Sequence, residues 1–322
     1  MEWYWILLLV LAGIVALFLL VGYGVAIGAA LIITKLKGSK IRPNYEQMRA
    51  INIKMGHVDF DAYDQMEKEA FTLHRDGAEL ACEFIPAPSA PPGQPAKCLI
   101  RVHGFGVNKI TSVRYVQILR KLGYAAVIYD QRSFGNSSGV CSLGYYERQD
   151  LVAITDWVRQ RLGEDTIIGL HGESLGAITI LEGLGIIPDI AFAISDSCST
   201  SVYNNFTAIT HLPAFPFLST LNLLAKLIYK FDLTAVRPID RVAESDVPIL
   251  FIHGTKDKPM PYTESEKLFA VAKNPLSHLE IFEGVWHTGG HMVETERYEK
   301  LVLDFVRAAE EAALQGQKQP QI

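Results

Sequence analysis

Gly172-Glu173-Ser174-Leu175-Gly176 follows the apolar run Thr166–Leu170 and opens a helical stretch. It reads as G-x-S-x-G in a strand–turn–helix setting, the pattern of a nucleophile elbow. The glycines have a steric reason. A turn this tight leaves no room for a Cβ beside the serine and strains its backbone. Gly172 and Gly176 are therefore the elbow glycines. The Ser174 hydroxyl is set above a sheet edge, at a helix N-terminus whose dipole favours developing negative charge. In a chain with 25 glycines the pentapeptide alone is only suggestive. The surrounding sequence has to supply the rest.

Three further stretches supply it. His103-Gly104-Phe105-Gly106 ends the strand-like run Cys98–Val102. A loop in that position donates one backbone N–H to an oxyanion hole, and the residue after the nucleophile donates the other. The expected donors are the N–H groups of Phe105 and Leu175. Asp257 lies just beyond Ile249–Ile252, and His287 just beyond His278–Phe282. Serine, acid and histidine thus come in the chain order of such a triad, each past the carboxyl end of a strand, where open α/β sheets bind ligands. In this reading Ser174 attacks, His287 takes its proton, and Asp257 orients the imidazole and stabilises its cation. Each residue also has a plainer reading, as a turn, a surface carboxylate or a loop histidine. Their joint order favours the triad. His291 is the alternative base, but His287 stands nearer the strand and after Gly284. Asp246 precedes its strand and Glu264 falls in the next helix, so Asp257 is the preferred acid. His171 and His253, at strand ends, are read as structural. Glu173 is left unassigned.

The rest of the chain alternates in the same way. Ala70–His74 and Leu80–Ile85 flank an Asp76-Gly77 turn. Ala125–Tyr129 and Ile190–Ser195 complete the strand candidates, with helices expected near 110–122, 145–161, 175–186 and 263–273. A last helix over about 293–312 places Tyr298, Leu301, Val302, Phe305 and Ala309 on one face. Strand–helix alternation with short apolar strands specifies an α/β domain with a mainly parallel sheet. Residues 197–246 break the rhythm. They separate two strands by far more than an ordinary connection, and they are helical and apolar (Leu212, Phe215, Phe217, Leu221, Leu223, Leu224, Leu227, Ile228). The insert reads as a lid, a structural subdomain, or both.

With these pieces the sequence resembles the α/β-hydrolase superfamily, and within it the serine esterases, monoacylglycerol lipases and serine aminopeptidase-like hydrolases. The resemblance covers roughly residues 67–310. It rests on His103-Gly104, the Asp130-Gln131-Arg132-Ser133-Phe134-Gly135-Asn136-Ser137-Ser138-Gly139 loop, the elbow, His253-Gly254 with Asp257, and Gly284 with His287. Many members carry D-x-R-G-x-G-x-S in the second of these. Ser133 stands here for the usual glycine, so a local change of backbone is expected. Arg132 is expected to be structural. The resemblance implies an eight-stranded sheet, a helical cap after the sixth strand, and no metal or organic cofactor. Dehalogenases and epoxide hydrolases share the fold but carry Asp at the elbow, where this chain has Ser174.

The N-terminus has a different character. Residues 3–33 contain no charged side chain, longer than the about 20 apolar residues that cross a bilayer. Trp3, Tyr4 and Trp5 stand where an interfacial aromatic belt would be, and Lys35, Lys37, Lys40 and Arg42 follow. This reads as a single-pass N-terminal anchor over residues 1–35, with the positive flank placing the following domain on the cytoplasmic side. A cleaved signal peptide is the alternative. It would carry a basic start and a shorter apolar core, neither of which is present. Residues 36–66 are expected to be a connecting arm with weak helical periodicity (Tyr45, Met48, Ile51, Met55), residues 67–314 the hydrolase domain, and residues 315–322 a polar tail.

Composition agrees. Hydrophobic residues make up 49% of the 322, and charged residues 20% against a usual ~25%. That apolar content excludes a disordered chain. A net charge of −5 offers no basic stripe for nucleic acid. Cys82, Cys98, Cys141 and Cys198 are scattered with no C-x-x-C pair, so neither a zinc site nor a disulfide framework is expected. The expected activity is cleavage of carboxylic esters through an acyl-enzyme, on small-molecule or lipid-derived substrates with an apolar acyl or aryl group. A peptidase with the same triad, a thioesterase and a non-catalytic membrane-tethered binding protein are the rivals. Oligomeric state is not readable.

Overall fold

A computed structural model of the chain describes residues 3–35, 44–55, 58–89, 93–210 and 214–317. Of the residues singled out above, Lys37, Lys40, Arg42, Leu212 and the tail beyond residue 317 lie outside the described ones. Eight strands form one sheet in the order β1-β2-β4-β3-β5-β6-β7-β8. They are β1 (Glu69–Arg75), β2 (Ala78–Ile85), β3 (Lys97–Val102), β4 (Ala125–Tyr129), β5 (Ile167–Glu173), β6 (Ile190–Asp196), β7 (Ile249–Gly254) and β8 (His278–Phe282). β2 runs antiparallel to both β1 and β4, and all other pairs are parallel. The β1–β2 hairpin closes at Asp76 and Gly77, both with positive φ, the geometry that matches strand twist in a two-residue turn.

The helices are α1 (Trp3–Lys35), α2 (Tyr45–Met55), α3 (Phe60–Gln65), α4 (Val113–Arg120), α5 (Glu147–Leu162), α6 (Leu175–Gly183), α7 (Val202–Thr210), α8 (Ser219–Leu224), α9 (Pro238–Glu244), α10 (Thr263–Val271), α11 (Gly290–Val293) and α12 (Thr295–Gln317). They cover both faces of the sheet, which is why the central strands are near-continuous apolar runs. Along β4 the alternation is clean. Ala125, Val127 and Tyr129 join a core with α5, α6 and the insert, while Ala126 and Ile128 join a second core with α4 and α12. The α12 face named from periodicity is the one that packs, with Tyr298, Val302 and Ala309 fully covered.

Three expectations are adjusted. β5 runs on to Glu173, because Gly172 pairs with Val102 and Ser195 before the chain turns. Of the expected 36–66 arm, the described residues 44–55 and 58–66 pack on the second core. Met48, Phe60 and Tyr63 are buried, Tyr45 donates to the Asp130 carboxylate, and Tyr63 to that of Glu83. Ile51 and Met55, which shared the helical periodicity, face outward. Ser133 takes the left-handed backbone that glycine favours, with φ 70°. Its N–H reaches Ser138 O at 3.0 Å, so the loop stays closed.

The insert between β6 and β7 is helical. It holds α7, a wide turn at Ala214–Leu218, α8, a second wide turn at Ala225–Tyr229, and α9. It lies over the carboxyl edge of the sheet. α1 is a separate matter. Its Trp3–Val25 part is long and apolar enough to cross a membrane, and almost none of it is buried.

Candidate active site

The elbow is built by close backbone approach. A Cβ on Gly172 would lie 2.2 Å from Gly176 O, and one on Gly176 would lie 2.1 Å from Val102 O. Only glycine lets α6 start this near to β3 and β5. Ser174 sits between them at φ 54° and ψ −117°, outside every comfortable region for a side-chain-bearing residue. The strain is held by its neighbours, since Ser174 N–H donates to Asp196 O at 2.9 Å and Ser174 O accepts from Ile178 at 3.0 Å. Leu175 is the first residue of α6, so its N–H has no partner within the helix.

The sequence-assigned residues converge. Ser174, His287, Leu175 and Phe105 all line one cavity of about 400 Å³. Its remaining described walls are Leu143, Ile178, Val202, Asn205, Phe206, Pro259 and Met260. Val202, Asn205 and Phe206 come from α7, so the insert forms the roof. Behind His287 stands Asp257, whose Oδ2 accepts from Nδ1 at 2.6 Å. Burial alone would favour the neutral acid. Hydrogen bonds from His253 and His287 and the N–H of Met260 outweigh it and hold the Asp257 carboxyl down at about 2. It stays ionised through the physiological range.

The rejected candidates fall elsewhere. His291 is buried against Tyr298 and Tyr115. Glu264 accepts from Thr200 N and Oγ1 at 2.9 and 2.6 Å. Glu173 does not line the cavity. It is buried below the elbow, 2.8 Å from Arg101 Nη2, and accepts from the Tyr115 hydroxyl at 2.7 Å. Burial opposes its ionisation, but the charges of Arg101 and Arg114 keep its carboxyl below the usual range. Arg132 is structural, as expected, donating to both oxygens of Asp150 at 2.6 Å.

Several positioning residues escaped the sequence reading. His253 is more than structural filling. Its Nε2 lies 3.0 Å from Asp257 Oδ2 and 2.8 Å from Met260 O, and its Nδ1 meets Ser265 Oγ at 2.7 Å. His103 Nδ1–H donates to Gly104 O at 2.7 Å, while Nε2 accepts from Gln131 N–H at 2.9 Å. Burial lowers the pKa of His103, consistent with this neutral tautomer. Gln131 also donates to His103 O at 2.5 Å and accepts from Thr179 of α6 at 2.9 Å. One side chain thus ties the Phe105 loop to the Ser174 helix. A second tie joins Thr288 N–H to Ser197 Oγ at 3.1 Å, and Ser197 Oγ to Asp196 Oδ1 at 3.0 Å. Among the described residues no group of three His, Cys, Asp or Glu side chains could hold a metal.

The chain is similar to known proteins in structure and in sequence. The Pyrococcus furiosus esterase Pf2001 superposes with a TM-score of 0.62 at 21% identity, covering 76% of this chain and 93% of its own. The Pyrococcus horikoshii acylaminoacyl peptidase superposes at 0.58 and 18% identity, over 77% of this chain and 42% of its own. YqkD of Bacillus subtilis is 29% identical over 261 residues, 78% of this chain and 83% of that protein. The alpha/beta hydrolase domain-containing protein 17B of Xenopus laevis is 26% identical over 234 residues, 70% of this chain and 72% of its own. The profile of the X-Pro dipeptidyl-peptidases matches residues 62–227, a stretch that runs from α3 through the elbow into the cap. An elbow serine under a helical cap, on this sheet and with this match, makes the chain a hydrolase of the esterase/peptidase type that belongs to the X-Pro dipeptidyl-peptidase (S15) family.

Proposed function

We propose that the protein is a membrane-anchored serine hydrolase that cleaves carboxylic esters with an apolar acyl or aryl group. Ser174 Oγ attacks the carbonyl carbon and passes its proton to His287. The N–H groups of Phe105 and Leu175 receive the oxyanion, each such donor being worth about 3 kcal/mol in the transition state. Collapse of the tetrahedral intermediate expels the alcohol with the proton from His287 and leaves an acyl-Ser174 ester. Water, deprotonated by His287, then releases the acid. Asp257 holds the imidazole with Nδ1 protonated, so that Nε2 is the base. α1 is the anchor, and the domain faces the cytoplasm.

The observation that carries the ester reading is the lining of the cavity. Beside Ser174, Asn205 and His287, its described walls are apolar, and none of them is a carboxylate. Apolar walls hold an acyl group at about 25 cal/mol per Å² buried. The family's name favours a second reading, a dipeptidyl- or aminopeptidase. Such an enzyme needs an anionic group for the substrate's free amine. Glu173, the acid nearest the nucleophile in sequence, is spent on Arg101.

The first test is intact-mass analysis of the detergent-solubilised chain after a fluorophosphonate, with Ser174→Ala beside it. One adduct on the wild type and none on the variant is expected. A folded wild type that takes no adduct would sink the serine-hydrolase reading and favour the binding protein. Ester and arylamide panels follow. Medium-chain esters should outrun acetyl esters and X-Pro arylamides. The reverse order would return the peptidase.

A further inference from the structure

The cap and α1 form one apolar body. α1 contacts both α8 and the Ala214–Leu218 turn. The Phe18 ring meets Phe217 edge-on, with centroids 5.6 Å apart. Gly22, one turn further along, is buried, and Leu19 between them is half-buried. Beside this contact the cap leaves Phe215, Leu223, Leu227 and Ile228 open, at 69%, 53%, 60% and 60% exposure. Leu218, Leu221 and Ala225 of the same segment are buried inward. The segment is therefore apolar on both sides, with a core to fill on one side alone. Side chains of this size grouped in the open mark an interaction surface.

Depth says what covers it. The Trp3–Val25 span of 23 residues is about 33 Å long as a helix, close to the ~30 Å of bilayer hydrocarbon. Phe18 precedes Val25 by seven residues, so it lies about 10 Å inside that end of the span. The cap meets α1 at this level. A helix that crosses the bilayer by its apolar span carries the cap's outer face to the same depth. Lys226 and Lys230 sit beside that face. Lys226 is paired with Asp232 at 2.7 Å, and Lys230 with Leu227 O at 2.8 Å. Long lysine stems of this kind snorkel from an apolar face toward headgroups.

We propose that the outer face of the cap, formed by Phe215, Leu223, Leu227 and Ile228, is embedded in the near leaflet of a lipid bilayer beside α1, and that the cavity over Ser174 is loaded from that leaflet. The embedding rests on the reading of α1 as a membrane helix. The loading rests in addition on the hydrolase reading. α7 is the element between the two surfaces, lining the cavity through Val202 and Phe206 and contacting the Ala214–Leu218 turn.

The four native cysteines are buried, so a single introduced thiol can be labelled selectively. The full chain, with an environment-sensitive fluorophore at Leu227→Cys, Leu9→Cys or Lys300→Cys, is reconstituted in phosphatidylcholine–phosphatidylglycerol vesicles. Lipids carrying a quencher on the acyl chain are then included or omitted. Quenching is expected at Leu227 and at Leu9, and not at Lys300 on the far helix α12. Quenching at Leu9 with Leu227 behaving like Lys300 would overturn the embedded cap and leave the anchor intact. No quenching at Leu9 would remove the anchor and the proposal together. A Leu227 label shielded from water but not quenched would assign the face to a second copy of the chain, and would also overturn it. For loading, a Leu223→Asn/Leu227→Asn/Ile228→Asn variant with unchanged thermal melting should hydrolyse a long-chain ester held in vesicles about tenfold more slowly, since membrane binding scales with the apolar area buried. Its turnover of a short water-soluble ester should be unchanged. Equal loss on both esters would overturn loading. A wild type inert to both removes the hydrolase reading, and the quenching alone then decides the embedding.

Discussion

Ser174 is held in a strained backbone by contacts that a single methyl group would break. A Cβ on Gly176 would fall 2.1 Å from Val102 O and 2.8 Å from His103 O. Both are backbone atoms at the end of β3, so neither can swing aside. Gly176→Ala should cost about 3 kcal/mol or more, read as a lower urea midpoint, because the elbow must open to admit it. Asp257 acts on a different quantity. Asp257→Asn keeps the shape but exchanges the acceptor of the His287 Nδ1 proton for an amide that can hold the wrong tautomer. The expected result is a loss of about 10⁴-fold in kcat on an activated ester, together with a lower melting temperature at neutral pH, because the ionised carboxylate that His253, His287 and the Met260 N–H stabilise is gone. A fall of tenfold or less would mean that Asp257 is not the orienting acid.

Among the elements, β3, β5 and α4 meet at a buried ion pair beneath Ser174. Arg101 is fully buried, 2.8 Å from Glu173, with its guanidinium 4.1 Å over the Tyr115 ring. Glu173→Gln leaves that cation without its partner. Breaking such a pair costs about 3–5 kcal/mol, whereas removing both charges is far cheaper. Glu173→Gln with Arg101→Met should therefore recover stability relative to Glu173→Gln alone in a denaturation series. An additive double variant would contradict the coupling. This pair also shows where sequence reading reaches its limit. The strand edges that carry Ser174, Asp257 and His287 were legible, because each residue follows its own strand by a few positions. Glu173 was not, since its partner lies on another strand and depends on sheet order. The same holds for Gln131 against His103, for His253 against Asp257, and for Ser197 against Thr288. The burial within residues 44–55 and 58–66 of the expected 36–66 arm is not legible for a related reason. Their periodicity is weak, and what buries Met48 and Tyr63 is a core completed by α4 and α12 far along the chain.

For the whole molecule, two carboxyls at the sheet edge pull stability in opposite directions with pH. Asp196 is pushed up to about 6, first by burial and then by the Glu173 charge. Between about 4 and 6 the folded chain binds more protons there than the unfolded one, so stability falls as pH rises through that window. Asp257, held down at about 2, contributes stability that is present above about 4 and lost as pH falls through 2. Asp150, pushed up to about 7 chiefly by burial, adds to the same decline, so Asp196→Asn should reduce the first trend without abolishing it, giving urea midpoints at pH 4.5 and pH 7 closer together than in the wild type. A wild type with no such decline would place the Asp196 titration elsewhere. The fold itself was legible at this scale, down to the strand count and the cap, because alternation of short apolar strands and helices leaves few topologies open.

The edge-on contact of Phe18 with Phe217 makes the first helix a wall of the cap. A chain shortened by its first helix would therefore show solvent an apolar surface that the full chain keeps covered. Its colloidal behaviour, in concentration-dependent association and in demand for detergent, would report that exposed surface and not the native assembly of the enzyme.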